Sequence, residues 1–275
     1  MQIPRQIFST CSKQQIGIEV LRRERQKLLR NNPAWSYSCL SDQDCETFLR
    51  DFYPGPTYQA WRMLNPGYGA AKADLIRYCL IYSLGGVYLD IKSSAHSALS
   101  RIIREDDEYL LGQWDNSPGD RHQNWGMHPQ LSHIRGGEYQ QWFIAGRRGH
   151  PFLKAVIDRV TRNILEYPRY SQYQYGRMSV LETTGPIAYT LAINSCIRQA
   201  SEKSGLSYRL IKPHNEGLIY SIFEKKTYLV NPENTIGTTA GDTHLNHSYM
   251  ENHYSRRTDP IVIKSDDKPD HPIDR

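Results

Sequence analysis

At 275 residues the chain has room for one large α/β domain or two small ones, with a substantial buried core. Its 39% hydrophobic and 23% charged residues describe an ordinary soluble protein, and five scattered cysteines without CxxC spacing exclude a disulfide framework or structural zinc site in favour of reduced thiols. A net charge of +5 suits phosphate-bearing ligands or an anionic membrane surface, and no nucleic-acid motif accompanies it.

Residues 3–8 read as an opening strand with Ser9 and Thr10 at its end, and a helix is predicted over 15–30. Its basic run, LRRERQKLLR, reads as a solvated helix face. Asn31, Asn32 and Pro33 stop that helix, and 35–40 form a second short strand. Ser41 is placed to cap a helix through residue 49, with Asp44 as its capping-box partner. Two proline–glycine clusters, at 53–56 and 65–67, punctuate the approach to the most informative run, AAKADLIRYCLIYSLGGVYLDIKS, which begins at Ala70.

That run predicts a helix, a glycine break and a short strand. Asp74 and Arg77 are three residues apart and share a helical face, while Leu75, Cys79 and Tyr82 fall on another. Gly85 and Gly86 stand where a positive-φ cap is wanted. Val87, Tyr88 and Leu89 then favour a strand that delivers Asp90 to its carboxyl end, the edge of an α/β sheet where ligands bind. Further strands are predicted at 109–112, 141–145, 208–211 and 227–229, and helices at 151–167 and from Pro186 to residue 198. Residues 116–137, rich in Gly, Pro, His and Asn, read as a long functional loop. Residues 265–275 read as a charged, disordered tail behind a single domain spanning 1–264. With no apolar signal-like segment and no spanning run of about 20 apolar residues, the expected location is cytoplasmic, peripheral to a membrane at most. Nineteen tyrosines against six phenylalanines supply aromatic surface with hydroxyls, which suits sugars.

The run at 70–93, together with IPRQIFSTCSK, NPAWSYSCLSDQDCETFL, FIAGRRGHPFLKAVI and LETTGP in the same order, resembles glycosyltransferase family 32. This DXD-motif group includes fungal mannosyltransferases and bacterial enzymes of capsule, lipopolysaccharide and glycolipid assembly. The resemblance implies a GT-A fold, an α/β architecture with a Rossmann-like, mostly parallel central sheet. It also implies a nucleotide-sugar donor (UDP-sugar or GDP-mannose), a divalent cation (Mn2+ or Mg2+), a glycan or glycolipid acceptor, and transfer with retention. Carried over residue by residue, Ile7, Ser9 and Thr10 lie beside the nucleotide, and Asp74 binds donor-sugar hydroxyls. Arg77 contacts the sugar or diphosphate, Gly85 and Gly86 let backbone approach the ligand, Tyr88 is among the donor-binding residues, and Asp90 faces the ribose, the sugar and the metal region. Of the downstream histidines, His247 is the first choice for the metal beside Asp90, with His244 and His253 behind it.

The sequence departs from the DXD pattern at Lys92, which stands at the second acid. A divalent ion takes oxygen ligands, and an ammonium is not one. Three readings stay open: Lys92 itself neutralises the diphosphate; a metal persists on Asp90, a downstream residue and the phosphates; or the chain is a non-catalytic nucleotide-sugar or glycan-binding protein with a degenerate site. Gln141 stands where the family often has asparagine, which puts that donor contact in question, and Thr184 reads mainly as part of a fixed turn. Trp114, Asp115 and residues 121–125 are plausible sugar or acceptor contacts.

Overall fold

A computed structural model describes residues 2–12, 15, 17–169, 171–200, 206–223 and 254–263. The predicted strand at 227–229, the tail and the three downstream histidines lie outside them. Strand β1 (Gln6–Thr10), helix α1 (Glu19–Asn31), β2 (Ser36–Leu40) and α2 (Asp42–Phe52) follow the predicted order. Ser41 and Asp44 form the reciprocal capping box at the start of α2. The proline–glycine punctuation at 53–56 proves to start a helix: Pro56 occupies the first turn of α3 (Pro56–Met63), where its missing N–H costs nothing. Then come α4 (Gly69–Leu84), β3 (Gly86–Leu89), β4 (Ser94–Ala95), the single turn α5 (Leu99–Ile102), β5 (Tyr109–Gln113), β6 (Tyr139–Gly146) and α6 (Pro151–Leu165). Helices α7 (Gly176–Thr183) and α8 (Pro186–Gln199) precede β7 (Arg209–Ile211) and β8 (Leu218–Ile219).

Six strands form one sheet in the order β2-β1-β3-β6-β5-β7. Strands β2, β1 and β3 are mutually parallel, β5 and β7 pair in parallel, and β6 runs against both β3 and β5. The alternation of side chains along each strand divides the core into two layers. Phe8, Tyr88, Tyr109, Leu111 and Ile144 pack under α2, α3, α4, α6, α7 and α8. Ile7, Val87, Leu89, Leu110 and Phe143 face the other way, onto Leu28 of α1 and Leu99 and Ile102 of α5. With both faces covered, the central strands need no polar alternation, which is why they read as continuous apolar runs.

Gly85 closes α4 with φ +70° and Gly86 opens β3 with φ +103°. A Cβ on Gly86 would sit 2.6 Å from the Gln6 carbonyl oxygen, so glycine here lets β3 lie tight against β1. This corrects the ligand-approach role expected of the pair. They begin β3, whereas Asp90 follows its end, roughly 13 Å away at strand rise, and neither lines the cleft described below.

His150 caps α6 from inside the core. Its Nδ1 accepts from the Phe152 N–H at 3.3 Å while its Nε2–H donates to the Ser207 carbonyl at 3.0 Å, a pair of bonds that only the neutral ring can make. Burial pushes this imidazole down to about 4 from its ordinary 6.5. Because the folded pKa is the lower one, only the unfolded chain takes up this proton as pH falls from about 6.5 to about 4, and stability drops over that window. Denaturation at pH 7 and pH 4.5 is expected to show a stability loss about 2 kcal/mol smaller in His150→Asn than in the parent. An equal loss in both would mean that this histidine does not govern acid sensitivity.

Candidate active site

Helix α4 is buried on nearly every side, and that burial gives Asp74 and Arg77 their character. The three-residue spacing brings Arg77 Nη2 within 3.2 Å of Asp74 Oδ1, and the same nitrogen reaches Asp90 Oδ1, just past the end of β3, at 3.1 Å. Arg77 also donates from Nε to the Ala73 carbonyl (3.0 Å) and from Nη1 to the Gln141 carbonyl on β6 (3.1 Å), and its guanidinium lies 4.7 Å from the Tyr88 ring centre. Asp74 is equally occupied: Gln141 Nε2 donates to Oδ1 at 3.0 Å, and Thr184 Oγ1, at the end of α7, donates to Oδ2 at 2.8 Å. The Tyr78 hydroxyl bonds the Gln141 side-chain oxygen and lies 2.9 Å from the Thr184 carbonyl, which ties these two supports together.

Two carboxylates therefore share one guanidinium, a net charge of −1. Burial pushes the Asp74 carboxyl up to about 6 from its ordinary 3.8, against the pull of Arg77 and Thr184. Burial also opposes the charge on Arg77, but Asp90, Tyr88 and Asp74 outweigh it and hold the guanidinium charged. Asp90 differs from its partners in facing the cleft, with its side chain 22% exposed against 4% for Asp74 and 5% for Arg77.

This cluster lies at the floor of an open cleft of about 2230 Å³. Thr10, Asp74, Arg77, Tyr88, Asp90 and Lys92 all line it, and the Thr10 hydroxyl meets the Tyr88 hydroxyl at 2.9 Å. Ile7 and Ser9 do not. Ile7 is fully buried and points into the opposite core layer, and the Ser9 hydroxyl donates to the Leu89 carbonyl at 2.7 Å. Lys92 turns its ammonium over the Tyr220 ring, 4.8 Å from the centre. The segment after β8 is clamped there by the Ser93 hydroxyl on the Tyr220 carbonyl (2.6 Å) and by the Ile222 N–H on the Lys92 carbonyl (2.9 Å). His247, His244 and His253 lie outside the described residues.

The geometry revises two roles. Arg77 directs its N–H groups at two carboxylates and two carbonyls, so it holds Asp74 and Asp90 in place. Gln141 and Thr184 hold Asp74 in place, which the turn-like LETTGP pattern did not disclose. Tyr78 and the pair Glu138–His128, joined at 2.8 Å, carry no local motif at all. Trp114, Asn124 and Trp125 line the cleft as expected, whereas Asp115, Arg121, His122 and Gln123 do not.

Among the described residues no helix is long and apolar enough to cross a membrane. The fold resembles a solved structure titled PaToxG glycosyltransferase, with a TM-score of 0.50, 14% identity and coverage of 71% of this chain and 70% of that one. An initiation-specific alpha-1,6-mannosyltransferase of Schizosaccharomyces pombe is 27% identical over 199 residues, covering 70% of this chain and 48% of the relative. Inositol phosphoceramide mannosyltransferase 3 of the same yeast is 24% identical over 159 residues, 57% of this chain and 35% of the relative. The chain thus spans half or less of the length of these relatives. The model of the glycosyltransferase sugar-binding region containing a DXD motif matches residues 19–108, the segment that holds Asp74, Arg77 and Asp90. The fold is thus of the GT-A type, and residues 19–108 are similar to the sugar-binding region of DXD-motif glycosyltransferases.

Proposed function

We propose that this chain is a retaining glycosyltransferase that moves a sugar from a nucleoside-diphosphate donor to a hydroxyl of a glycan or glycolipid. The observation that carries the reading is the buried Asp74–Arg77–Asp90 cluster at the carboxyl edge of β3, opening into a cleft through Asp90. The mannosyltransferase relatives favour a nucleotide-linked mannose donor, and UDP-sugars are the competing class.

In such a transfer the bond between C1 and the diphosphate oxygen breaks with its electron pair leaving on the phosphate. The acceptor oxygen bonds to C1 on the same face, and its proton passes to the departing diphosphate. The protein's task is to position the reactants and to place positive charge at the leaving group. Asp90, fixed by Arg77, is suited to receive donor hydroxyls. Both oxygens of Asp74 are occupied, which does not suit it as a covalent nucleophile.

A divalent ion is the usual partner of a DXD site, and the donor set around Asp90 bears on it. Lys92 occupies the place of the second acid, and among the described residues no three His, Cys, Asp or Glu side chains converge to hold a metal. Among the described side chains at the end of β3, Asp90 offers an oxygen to an ion and Lys92 offers none. In this proposal Lys92 supplies the cation, moving from the Tyr220 ring onto the diphosphate.

Nucleoside-diphosphate release from a panel of UDP-sugars and GDP-mannose, with and without chelator, tests the assignment. Release is expected to persist in chelator. Lys92→Asp is expected to lower it about 100-fold and to make the remainder metal-dependent. Chelator-sensitive turnover in the parent chain overturns the role of Lys92. Nucleotide-sugar binding without turnover favours a binding protein, the reading that the Lys92 replacement itself raises.

A further inference from the structure

On the reading that this chain transfers sugars, we infer that the loop between β5 and β6 builds the acceptor subsite, a platform for a pyranose ring on Trp125. Trp125 is 41% exposed on the cleft, yet its surroundings hold it firmly. Its ring packs edge-to-face with Trp114 (5.0 Å), His122 (4.9 Å) and Tyr220 (6.2 Å), and its carbonyl accepts from Asn116 Nδ2 at 3.2 Å.

Beneath it Glu138 acts as the hub. One carboxylate oxygen accepts from Trp114 Nε1 at 2.7 Å and the other meets His128 Nε2 at 2.8 Å, which fixes the buttress under Trp125 and the imidazole beside it. Gly126 lets the loop close down on this hub. Its φ is +70°, a Cβ there would lie 2.4 Å from Glu138 Cγ, and its carbonyl accepts from the Glu138 N–H at 2.9 Å. An exposed aromatic held this tightly loses little further freedom on binding a ligand.

The chemistry of the patch selects the occupant. Aromatic faces beside a few fixed polar groups suit a ligand with an apolar face and a hydroxyl rim, which is what a pyranose offers. The Glu138 carboxylate disfavours a phosphate at this spot. Topology separates the patch from the nucleotide. The parallel strands β2, β1 and β3 form the half that suits a mononucleotide, with Thr10 at its edge, whereas Trp114 and Trp125 follow β5, beyond the antiparallel β6. Asp90 stands between the two halves. Lys92 leans on Tyr220, the ring that joins the platform to the reaction centre.

The test is ligand-observed NMR and titration of the full chain with α-manno-, gluco-, galacto- and chito-oligosaccharides in the presence of GDP or UDP. Nucleotide binding is measured separately. At least one oligosaccharide is expected to bind the parent. Trp125→Ala is expected to weaken it at least tenfold, with Trp125→Tyr restoring most of the affinity as an aromatic replacement should. Equal binding by Trp125→Ala, or no saccharide bound while nucleotide binds, overturns the subsite and leaves the transferase reading standing. Failure of the parent to bind any nucleotide or nucleotide sugar sinks the transferase reading instead. Nucleotide affinity that falls with Trp125→Ala while saccharide affinity holds reassigns the ring to base stacking and also overturns the proposal.

Discussion

Replacing Arg77 with methionine is expected to cost about 3–5 kcal/mol of folding stability and to abolish transfer, the cost of removing one partner from a buried ion cluster. Methionine fills similar volume, so packing is not the main loss. What is lost is the cation that lets Asp74 and Asp90 stand 3.2 and 3.1 Å from a common nitrogen. Without it both carboxylates face one another across a buried floor, Asp74 is driven further toward its neutral form, and the Gln141 carbonyl loses its donor. Arg77→Lys is expected to recover only part of the loss, because an ammonium on a flexible stem does not span two carboxylates and two carbonyls at once. Denaturant unfolding of the three proteins checks this. A cost below about 1 kcal/mol for methionine would show that the cluster is not what holds the site floor.

Asp74→Asn is expected to do the opposite to stability while still disabling the site. The folded pKa of Asp74, about 6, lies above its ordinary 3.8, so the folded chain favours the protonated form. The stability that this preference contributes is fully present below about pH 4 and is lost as pH rises through 6. At pH 7.5 the buried carboxylate therefore burdens the fold, by on the order of 3 kcal/mol. Asparagine carries no such burden, keeps an oxygen for Arg77 and Gln141, and offers its amide to the Thr184 hydroxyl. Arg77 retains Asp90. The variant is expected to be at least as stable as the parent at pH 7.5, with an advantage over the parent that grows as pH rises from about 4 through 6 while the His150 contribution stays common to both, and to turn over donor at least 100-fold more slowly because the cluster passes from a net charge of −1 to neutral. Thermal and chemical unfolding against pH, paired with nucleoside-diphosphate release, measures both effects. A variant markedly less stable at pH 7.5 would show that the ionised pair contributes net stability. One that retains turnover would remove Asp74 from the machinery.

These two residues illustrate what could be read from the chain alone. Asp74 and Arg77 are legible because helix geometry makes a three-residue spacing a shared face. Asp90 is legible because Val87–Leu89 can only be a buried strand, and an acid just past such a strand lies at the ligand edge. The capping box at Ser41 was equally plain, since capping is settled by four consecutive residues. The sequence singled out Gln141 and Thr184 but not their shared target: they come 64 and 107 residues after Arg77, and no local pattern says that β6 and the end of α7 converge on one carboxylate. The misassigned residues fail for a related reason. Ile7 and Ser9 belong to the right strand, but the alternation of side chains across a doubly covered sheet sends Ile7 to the opposite core layer, and Ser9 spends its hydroxyl on Leu89. Gly85 and Gly86 belong to the right motif but to the wrong end of its strand.

The sequence by itself determined the order of the main strands and helices around the site, though not the helices at Pro56–Met63 and Gly176–Thr183, together with the acid–base–acid signature and the lysine that interrupts the DXD pattern, because propensity, capping and periodicity act over a few residues. Only the tertiary structure decided that Arg77 is committed to orienting carboxylates, that Lys92 rests on an aromatic ring, and that a loop after β5 presents a braced tryptophan to the same cleft. Those facts depend on contacts between segments far apart in the chain. There burial, charge and the count of available hydrogen-bond donors are settled jointly by many residues, and no stretch of sequence carries them alone.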